Sequence, residues 1–393
     1  MVKFSNTKMF FNGLPTALYI HVPFCVRKCP YCDFISYPYN ESDARHYING
    51  LRREMELRDG GQYDKRWHLS TVFIGGGTPT CLSNVMLLEI IALIKNHFNL
   101  LPGVEFTVEA NPGTVDTGKL NALRRAGVNR LSLGAQACTE TTLSTLGRIH
   151  THRQTVAAVR QAREAGFSNI NLDLIFEVPG QTLTEWQCCL EQVVALQPEH
   201  VSAYGLQLEE GTPLKESVDS GKLVPCAEDT GLAMYRKAIE ILKAVGLEQY
   251  EISNFARPGR QCRHNLIYWY NEGYLGLGPA AHSYVGGKRM ANESGLAEYN
   301  SKLRDGKIPV AWTEQITPEI DIFETVFLGL RMNCGLDLDR FKRRFGAELD
   351  HFYPGVMNAL IDKRFLEQRG NHLRLTADGL AVANAVMSEF APS

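Results

Sequence analysis

Three cysteines, Cys25, Cys29 and Cys32, stand in the run His21-Val-Pro-Phe-Cys-Val-Arg-Lys-Cys-Pro-Tyr-Cys-Asp-Phe34, a C-x3-C-x2-C spacing directly after the apolar segment Leu18-Tyr19-Ile20. Three thiolates can hold three irons of a four-iron cubane and leave the fourth open. Iron–sulfur clusters ordinarily carry a cysteine on every iron, so a three-cysteine loop points to an iron kept free for chemistry or for a small ligand. The same thiols could form a zinc site completed by His21, but zinc favours two separated Cys-x2-4-Cys halves, and the chain offers no second half. Pro23, Arg27, Lys28 and Pro30 make the segment a loop rather than part of a core.

Further chemistry-bearing groups recur along the first half of the chain. Gly75-Gly-Gly-Thr-Pro79 follows an apolar run; glycines there admit close backbone approach to a ligand, although three glycines also make a plain flexible turn. Glu109, Gln136, Asp173 and Gln207 each close an apolar run. A carboxylate on a buried strand is uncommon without a partner or a ligand.

The elements that must position these groups are strands alternating with helices. Apolar runs cover Leu18–Val22, Thr71–Ile74, Glu105–Glu109, Arg130–Gly134, Asn169–Phe176 and Val201–Leu206. Helical patterns lie between them at Val85–His97, Gln154–Ala165 and Leu183–Leu196. Six strand–helix repeats with buried strands predict an α/β fold with a parallel sheet, curved or closed as a barrel. Active sites of such barrels lie at the C-terminal strand ends, where the glycine and polar residues fall. A dinucleotide-binding sheet would show the same alternation, but the first turn lacks G-x-G-x-x-G. From Glu209 to Gly306 the pattern is irregular apart from a helix at Asp229–Val245. The last part reads as helices Phe323–Leu330, Leu338–Phe345 and Val356–Lys363 and a hairpin, Phe365–Gln368 with Leu373–Leu375, turning at Gly370-Asn371. That is a small α+β unit like a winged helix.

Composition narrows the class. Of 393 residues, 44% are hydrophobic and 21% charged, and the net charge is −2, which is ordinary for a globular chain and gives no field for nucleic acid or an anionic membrane. No apolar stretch is long enough to span a membrane, and the first fifteen residues lack the apolar core of a secretion signal. Ten cysteines without such a signal argue for a reducing compartment, the cytoplasm. The seven outside the loop read mostly as structural thiols.

The cysteine loop resembles the signature of the radical S-adenosylmethionine (SAM) superfamily. The wider run from Tyr19 to Cys25 resembles the oxygen-independent coproporphyrinogen III oxidase-like family, and the likeness extends over nearly the whole chain. It implies a partial (β/α)6 radical SAM barrel, a [4Fe-4S] cluster on Cys25, Cys29 and Cys32, and SAM chelating the open iron. It further implies SAM contacts from Tyr19 and from Gly76, Gly77 and Thr78 of the glycine turn. Glu109 would meet the ribose or amino group, Gln136 a polar group and Asp173 a ribose hydroxyl. Arg148, in Leu-Gly-Arg-Ile-His150, would meet the carboxylate, which a guanidinium fork suits. Gln207 falls at the sixth-strand position, where its identity departs from the oxidases. The implied organisation is an N-terminal extension (1–16), the barrel (17–208), a family-specific extension (209–310) and the C-terminal unit (311–393).

Oxidases of this family add a fourth cysteine two residues after the third, where this chain has Phe34. The chain is instead similar to the heme-chaperone branch in Cys32-Asp-Phe34, in Glu109-Ala-Asn-Pro-Gly-Thr114 and across residues 250–285. There His264-Asn265-x-x-Tyr268-Trp269 matches an H-N-x-x-Y-W motif implicated in heme binding. A neutral imidazole is a good axial heme ligand, and aromatic rings can pack on a flat macrocycle. On physical grounds alone a single histidine reads rather as the cap of a structural loop, with Tyr268 and Trp269 packed at the barrel mouth; the resemblance turns the reading toward heme. Cys262 and His282 are further heme contacts to weigh, and Ala280, where glycine is common, is expected only to tighten its loop. The resemblance therefore implies a heme chaperone that binds cluster, SAM and heme, accepts electrons from a donor and passes heme to an acceptor protein. The alternative is a porphyrin-modifying radical SAM enzyme such as the oxidase.

Overall fold

A computed structural model describes residues 16–59 and 67–392. Nearly all of the 1–16 extension lies outside the described residues. Six strands run parallel in chain order: β1 (Ala17–Val22), β2 (His68–Gly76), β3 (Asn99–Ala110), β4 (Arg130–Gln136), β5 (Ile170–Phe176) and β6 (His200–Gly205). The crossovers carry helices α1 (Glu41–Asp59), α2 (Asn84–His97), α3 (Thr117–Arg125), α4 (His152–Glu164) and α5 (Leu183–Ala195). This is the α/β architecture of a partial (β/α)6 barrel.

Helix boundaries follow local chemistry. Thr151 with Gln154 and Thr182 with Glu185 form capping boxes that start α4 and α5. The turns after α3 and α4 use Gly127 and Gly166 at positive φ.

The strands are buried on both faces, but the two faces differ in chemistry. Leu18, Ile20, Val72, Ile74, Phe106, Val108, Leu131, Leu133, Leu172, Leu174, Val201 and Ala203 pack with the helices in the main apolar core. The intervening residues form the other face, and most are polar: Tyr19 and His21, Thr71, Glu105, Thr107 and Glu109, Arg130 and Ser132, Asn171 and Asp173, His200 and Ser202. Period-two alternation along a strand forces this segregation. A buried polar face must satisfy its groups internally or with a ligand, so the inner face is where function has to sit.

Residues 209–306 are more ordered than their irregular pattern suggests. They supply helix α6 (Glu228–Ala244), strands β7 (Glu248–Glu251) and β8 (Asn254–Ala256), helix α7 (Arg263–Trp269), and strands β9 (Tyr274–Leu277), β10 (His282–Val285) and β11 (Lys288–Asn292), which β12 (Val310–Gln315) follows. The full sheet runs β12-β11-β10-β9-β1-β2-β3-β4-β5-β6-β8-β7. Strand β9 pairs in parallel with the free edge of β1, so β1 is interior to the sheet. Strands of three to five residues are too short to carry a readable alternation, which is why the sequence pattern hides them.

The C-terminal unit has its own core around Leu330, Phe341, Leu373, Met387 and Phe390. It contains helices α8 (Pro318–Leu330) and α9 (Leu338–Phe345) and strands β13 (Leu336–Asp337), β14 (Leu366–Arg369) and β15 (His372–Leu375) in the order β13-β15-β14. The expected hairpin is present, and Gly370 supplies the positive φ of its turn.

Two expectations change. Cys138, just after β4, and Cys189, on α5, are joined as a disulfide across 51 residues of sequence, a juxtaposition that no local spacing announces. Ala280 does more than tighten its loop: it is held at φ 59°, in the left-handed region. A Cβ there costs about 1 kcal/mol. Ala280→Gly is therefore expected to stabilise the fold by roughly 0.5–1 kcal/mol, seen as a higher urea midpoint at unchanged slope.

Candidate functional site

The cysteine loop leaves the C-terminal end of β1 and is closed at its base by a short parallel bridge between Phe24–Cys25 and Tyr37–Pro38. Tyr37 N–H donates to Pro23 O at 2.8 Å and Tyr39 N–H to Cys25 O at 2.8 Å. Inside the loop Cys32 N–H turns back onto Cys29 O at 3.2 Å. Pro30 seats the loop against its neighbours: its carbonyl accepts from Leu214 N–H, and its ring lies where a Cβ on Gly147 would stand 2.3 Å away. All three thiols are partly exposed. A cavity of about 560 Å³, lined in part by Lys28, Cys29, Cys32 and Thr212, opens beside them.

Among the described residues no three His, Cys, Asp or Glu side chains converge tightly enough to hold a single ion. A zinc site draws its thiolates to ~2.3 Å from one point and favours two separated cysteine pairs, which the loop does not supply. A cubane takes one thiolate per iron. The donor set of three thiols, all soft ligands on a loop with an adjoining cavity, fits such a cluster.

The glycine turn is zipped to this loop. Register pairs His21 with Gly75 and Val22 with Gly76. Gly77 N–H then donates to Val22 O at 2.9 Å and Thr78 N–H to Phe24 O at 2.7 Å. The Thr78 hydroxyl lies 3.6 Å from Cys25 Sγ. Close packing explains the glycines: a Cβ on Gly75 would meet the Glu109 carboxylate at 2.7 Å, one on Gly76 the His21 ring at 2.5 Å, and one on Gly77 Phe24 O at 2.5 Å.

His21, buried and held neutral by desolvation, ties the strand to the far side of the loop. Its Nε2–H donates to Ile35 O at 2.9 Å, which leaves Nδ1 to accept from the Tyr19 hydroxyl at 3.0 Å. Tyr19 thus reaches the site through His21.

Two half-buried carboxylates lie beneath the turn. Glu109 accepts from Gly76 N–H at 3.0 Å. Burial, then repulsion from Asp173, pushes its pKa up to about 8. Asp173 accepts from the Ser132 hydroxyl at 2.9 Å and from Asn171 Nδ2 at 2.7 Å, and burial raises it too. Gln136 ends β4 at φ 64°, beside a register irregularity against β5. Arg148 crosses to the cysteine loop, where Nη1 donates to Cys29 Sγ at 3.4 Å. Tyr19, Gly76, Gly77, Thr78, Glu109, Gln136, Arg148 and Asp173 are thus gathered around the C-terminal ends of β1 to β5. Gln207, two residues past the end of β6, is exposed.

The sequence reading passed over Tyr31 and Glu105. Tyr31, inside the loop, lies beside the Arg148 guanidinium; an aromatic residue directly before the third cysteine was the available signal. Glu105 lies on the inner face at the other end of the strands, and only its place in a strand hinted at a role.

His264 is not at the mouth. It sits at the opposite end of the strands, on α7, 1% exposed. Glu105 holds the start of this helix, accepting from Arg263 N–H at 3.1 Å, from His264 N–H at 3.0 Å and from the Cys262 thiol at 3.6 Å. The His264 ring packs on Phe73 and has both nitrogens engaged, Nδ1 with the Thr71 hydroxyl at 2.9 Å and Nε2 with the Tyr268 hydroxyl at 2.8 Å. Burial depresses its pKa to about 3, so it is neutral. Cys262, fully buried, has its thiol pushed up to about 12 and stays protonated. His282 is exposed on β10.

The C-terminal unit clamps α7 from below. Arg331 lies over Trp269 at 4.6 Å and Arg340 over Tyr270 at 4.5 Å. Asp321 accepts from Asn271 Nδ2 at 2.9 Å and from Arg344 at 2.6 Å. The motif that reads as belonging to the barrel mouth therefore closes the barrel floor.

Known proteins agree with this architecture. The family model described as the radical SAM superfamily matches residues 19–193, and that of the HemN C-terminal domain matches residues 316–382. The solved structure of coproporphyrinogen III oxidase (HemN) from Escherichia coli superposes with a TM-score of 0.85 at 22% identity, over 97% of this chain and 91% of that one, which shows the shared fold. Radical S-adenosyl methionine domain-containing protein 1, mitochondrial, of Danio rerio is 30% identical over 98% of this chain and 88% of its own. The heme chaperone HemW of Bacillus subtilis is 38% identical over 95% of this chain and 98% of its own. On this near full-length similarity the chain belongs to the HemW family of heme chaperones, within the radical SAM superfamily.

Proposed function

We propose that this protein is a heme chaperone: it carries a [4Fe-4S] cluster on Cys25, Cys29 and Cys32, binds SAM at the cluster's open iron, binds heme through His264, and passes heme to an acceptor protein. The observation that carries this reading is one chain that joins a three-thiolate loop to an H-N-x-x-Y-W helix and has no fourth thiol in that loop. Phe34, at the position of that thiol, is 61% exposed and offers no group for porphyrin oxidation. When bound, the cluster supplies a reducing electron to SAM.

The chain's own residues do the positioning. Gly76 and Gly77 bring backbone close to the ligand, Tyr19 with His21 steadies the loop, and Glu109, Gln136, Arg148 and Asp173 supply polar contacts to amino, carboxylate and ribose groups, with Gln207 at the rim. An electron donor and the cytoplasm, as a compartment in which the loop's three thiols stay reduced, complete the proposal.

In the conformation described, His264 is a closed ligand: buried and bonded at both ring nitrogens. Heme ligation therefore requires α7 to leave the barrel floor. Arg331→Ala and Arg340→Ala each remove one cation–π contact of about 0.5–2 kcal/mol. They are expected to speed heme uptake several-fold in stopped-flow absorbance, while His264→Ala abolishes the ligand-field spectrum of the bound heme. Unchanged heme spectra in His264→Ala would remove the ligand assignment. Conversion of coproporphyrinogen III to a decarboxylated product by the reconstituted protein would replace the chaperone reading with the oxidase.

Glu109 makes SAM binding depend on pH. Its raised pKa means that below pH 8 the carboxyl must release a proton before it can accept from the ligand. SAM affinity of the reconstituted protein should rise by up to about tenfold per unit below pH 8 and level off above it. Glu109→Gln should flatten that dependence in equilibrium binding measured from pH 6 to 9.

A further inference from the structure

Arg148 is bound to the cysteine loop more firmly than a residue reserved for a SAM carboxylate needs to be. Its guanidinium donates Nη1–H to Cys29 Sγ at 3.4 Å and Nη2–H to Gly134 O at 3.3 Å, and the Tyr31 hydroxyl lies beside it. Nε is buried and has no partner. The backbone is fixed as well: Gly147 at φ 62° presses on Pro30, next in sequence to Cys29, and Arg148 N–H donates to Leu143 O at 2.9 Å. Tyr31 packs with Leu143, Leu146 and Ile175 in a small apolar cluster of its own, so its hydroxyl is a fixed strut.

We infer that Arg148, held in place by Tyr31, is a positioning residue for the cluster: its N–H···S bond to Cys29 sets the cluster's reduction potential. The inference rests on reading the loop as a cluster site and adds a role that the SAM contact does not contain. The physics is direct. Reduction adds one negative charge to a cluster already ligated by three thiolates. A guanidinium donating to one of those sulfurs stabilises the reduced form more than the oxidised form, because hydrogen bonds to cluster sulfurs and nearby charge are among the protein's means of tuning potential. The unpartnered Nε is the donor still available to a second acceptor, so one planar group can hold the thiolate and the SAM carboxylate together. Lysine, with a single charged point, cannot do both.

The test is an EPR-monitored redox titration of the reconstituted, SAM-free protein, with iron and sulfide content measured alongside. Arg148→Ala should shift the midpoint to lower potential, Arg148→Lys should shift it less, and Tyr31→Phe should shift it in the same direction with the arginine retained. If Arg148 serves only the SAM carboxylate, Arg148→Ala will leave the SAM-free midpoint where it was and only weaken the change that SAM makes in the EPR signal; that result overturns the inference. Should Arg148→Ala assemble no cluster, Tyr31→Phe decides, an unchanged midpoint counting against the inference. A wild-type protein that assembles no cluster at all would instead overturn the reading of the loop.

Discussion

The parallel pairing of β1 with β2 is the constraint on which the site depends. It places His21 opposite Gly75 and Val22 opposite Gly76, and the ladder continues past the strands through Gly77 and Thr78. The cysteine loop and the glycine turn are consequently one surface rather than two loops that happen to be near. Each glycine lies against a group of the site, so the spacing between loop and turn tolerates no added Cβ. Strand pairing, which is strong and local, thereby fixes the relation of two segments about fifty residues apart in sequence.

The inner face explains why so many polar groups can be buried at once. Ser132, Asn171, Asp173, His200 and Ser202 satisfy one another across neighbouring strands. Networks of this kind are favourable when complete and costly when broken. Yet not every group is paired: Thr107 Oγ1 and Arg130 Nε are buried without partners, and Glu109 is held near its protonation point. Glu109, at the upper end of the face, is thus prepared for a polar ligand, whereas the lower end, Arg130 included, is sealed by α7.

That seal is the main physical tension in the molecule. A residue proposed to ligate heme should be reachable, and His264 is buried. The groups that hold it down come from two directions: Glu105 and Thr71 from the barrel, Arg331 and Arg340 from the C-terminal unit. Such a helix can open only if the unit beneath it yields. This gives the C-terminal unit a mechanical part to play that does not require nucleic acid, for which the net charge of −2 provides no attraction.

By itself the sequence determined the three-thiolate loop, the six strand–helix repeats, the glycine turn and the carboxylates at strand ends, because these are signals written in spacing and periodicity within short windows. Phe34 in place of a thiol was equally legible. Only the tertiary structure decided where His264 lies, since a seven-residue helix has no pattern that tells the mouth of a barrel from its floor. It also decided the short strands after residue 248, the Cys138–Cys189 contact, the polar lining opposite the apolar core, and the hold of Arg148 and Tyr31 on Cys29. Each of these is a meeting of residues distant in the chain, and such meetings are fixed by packing and strand register, which no local window contains.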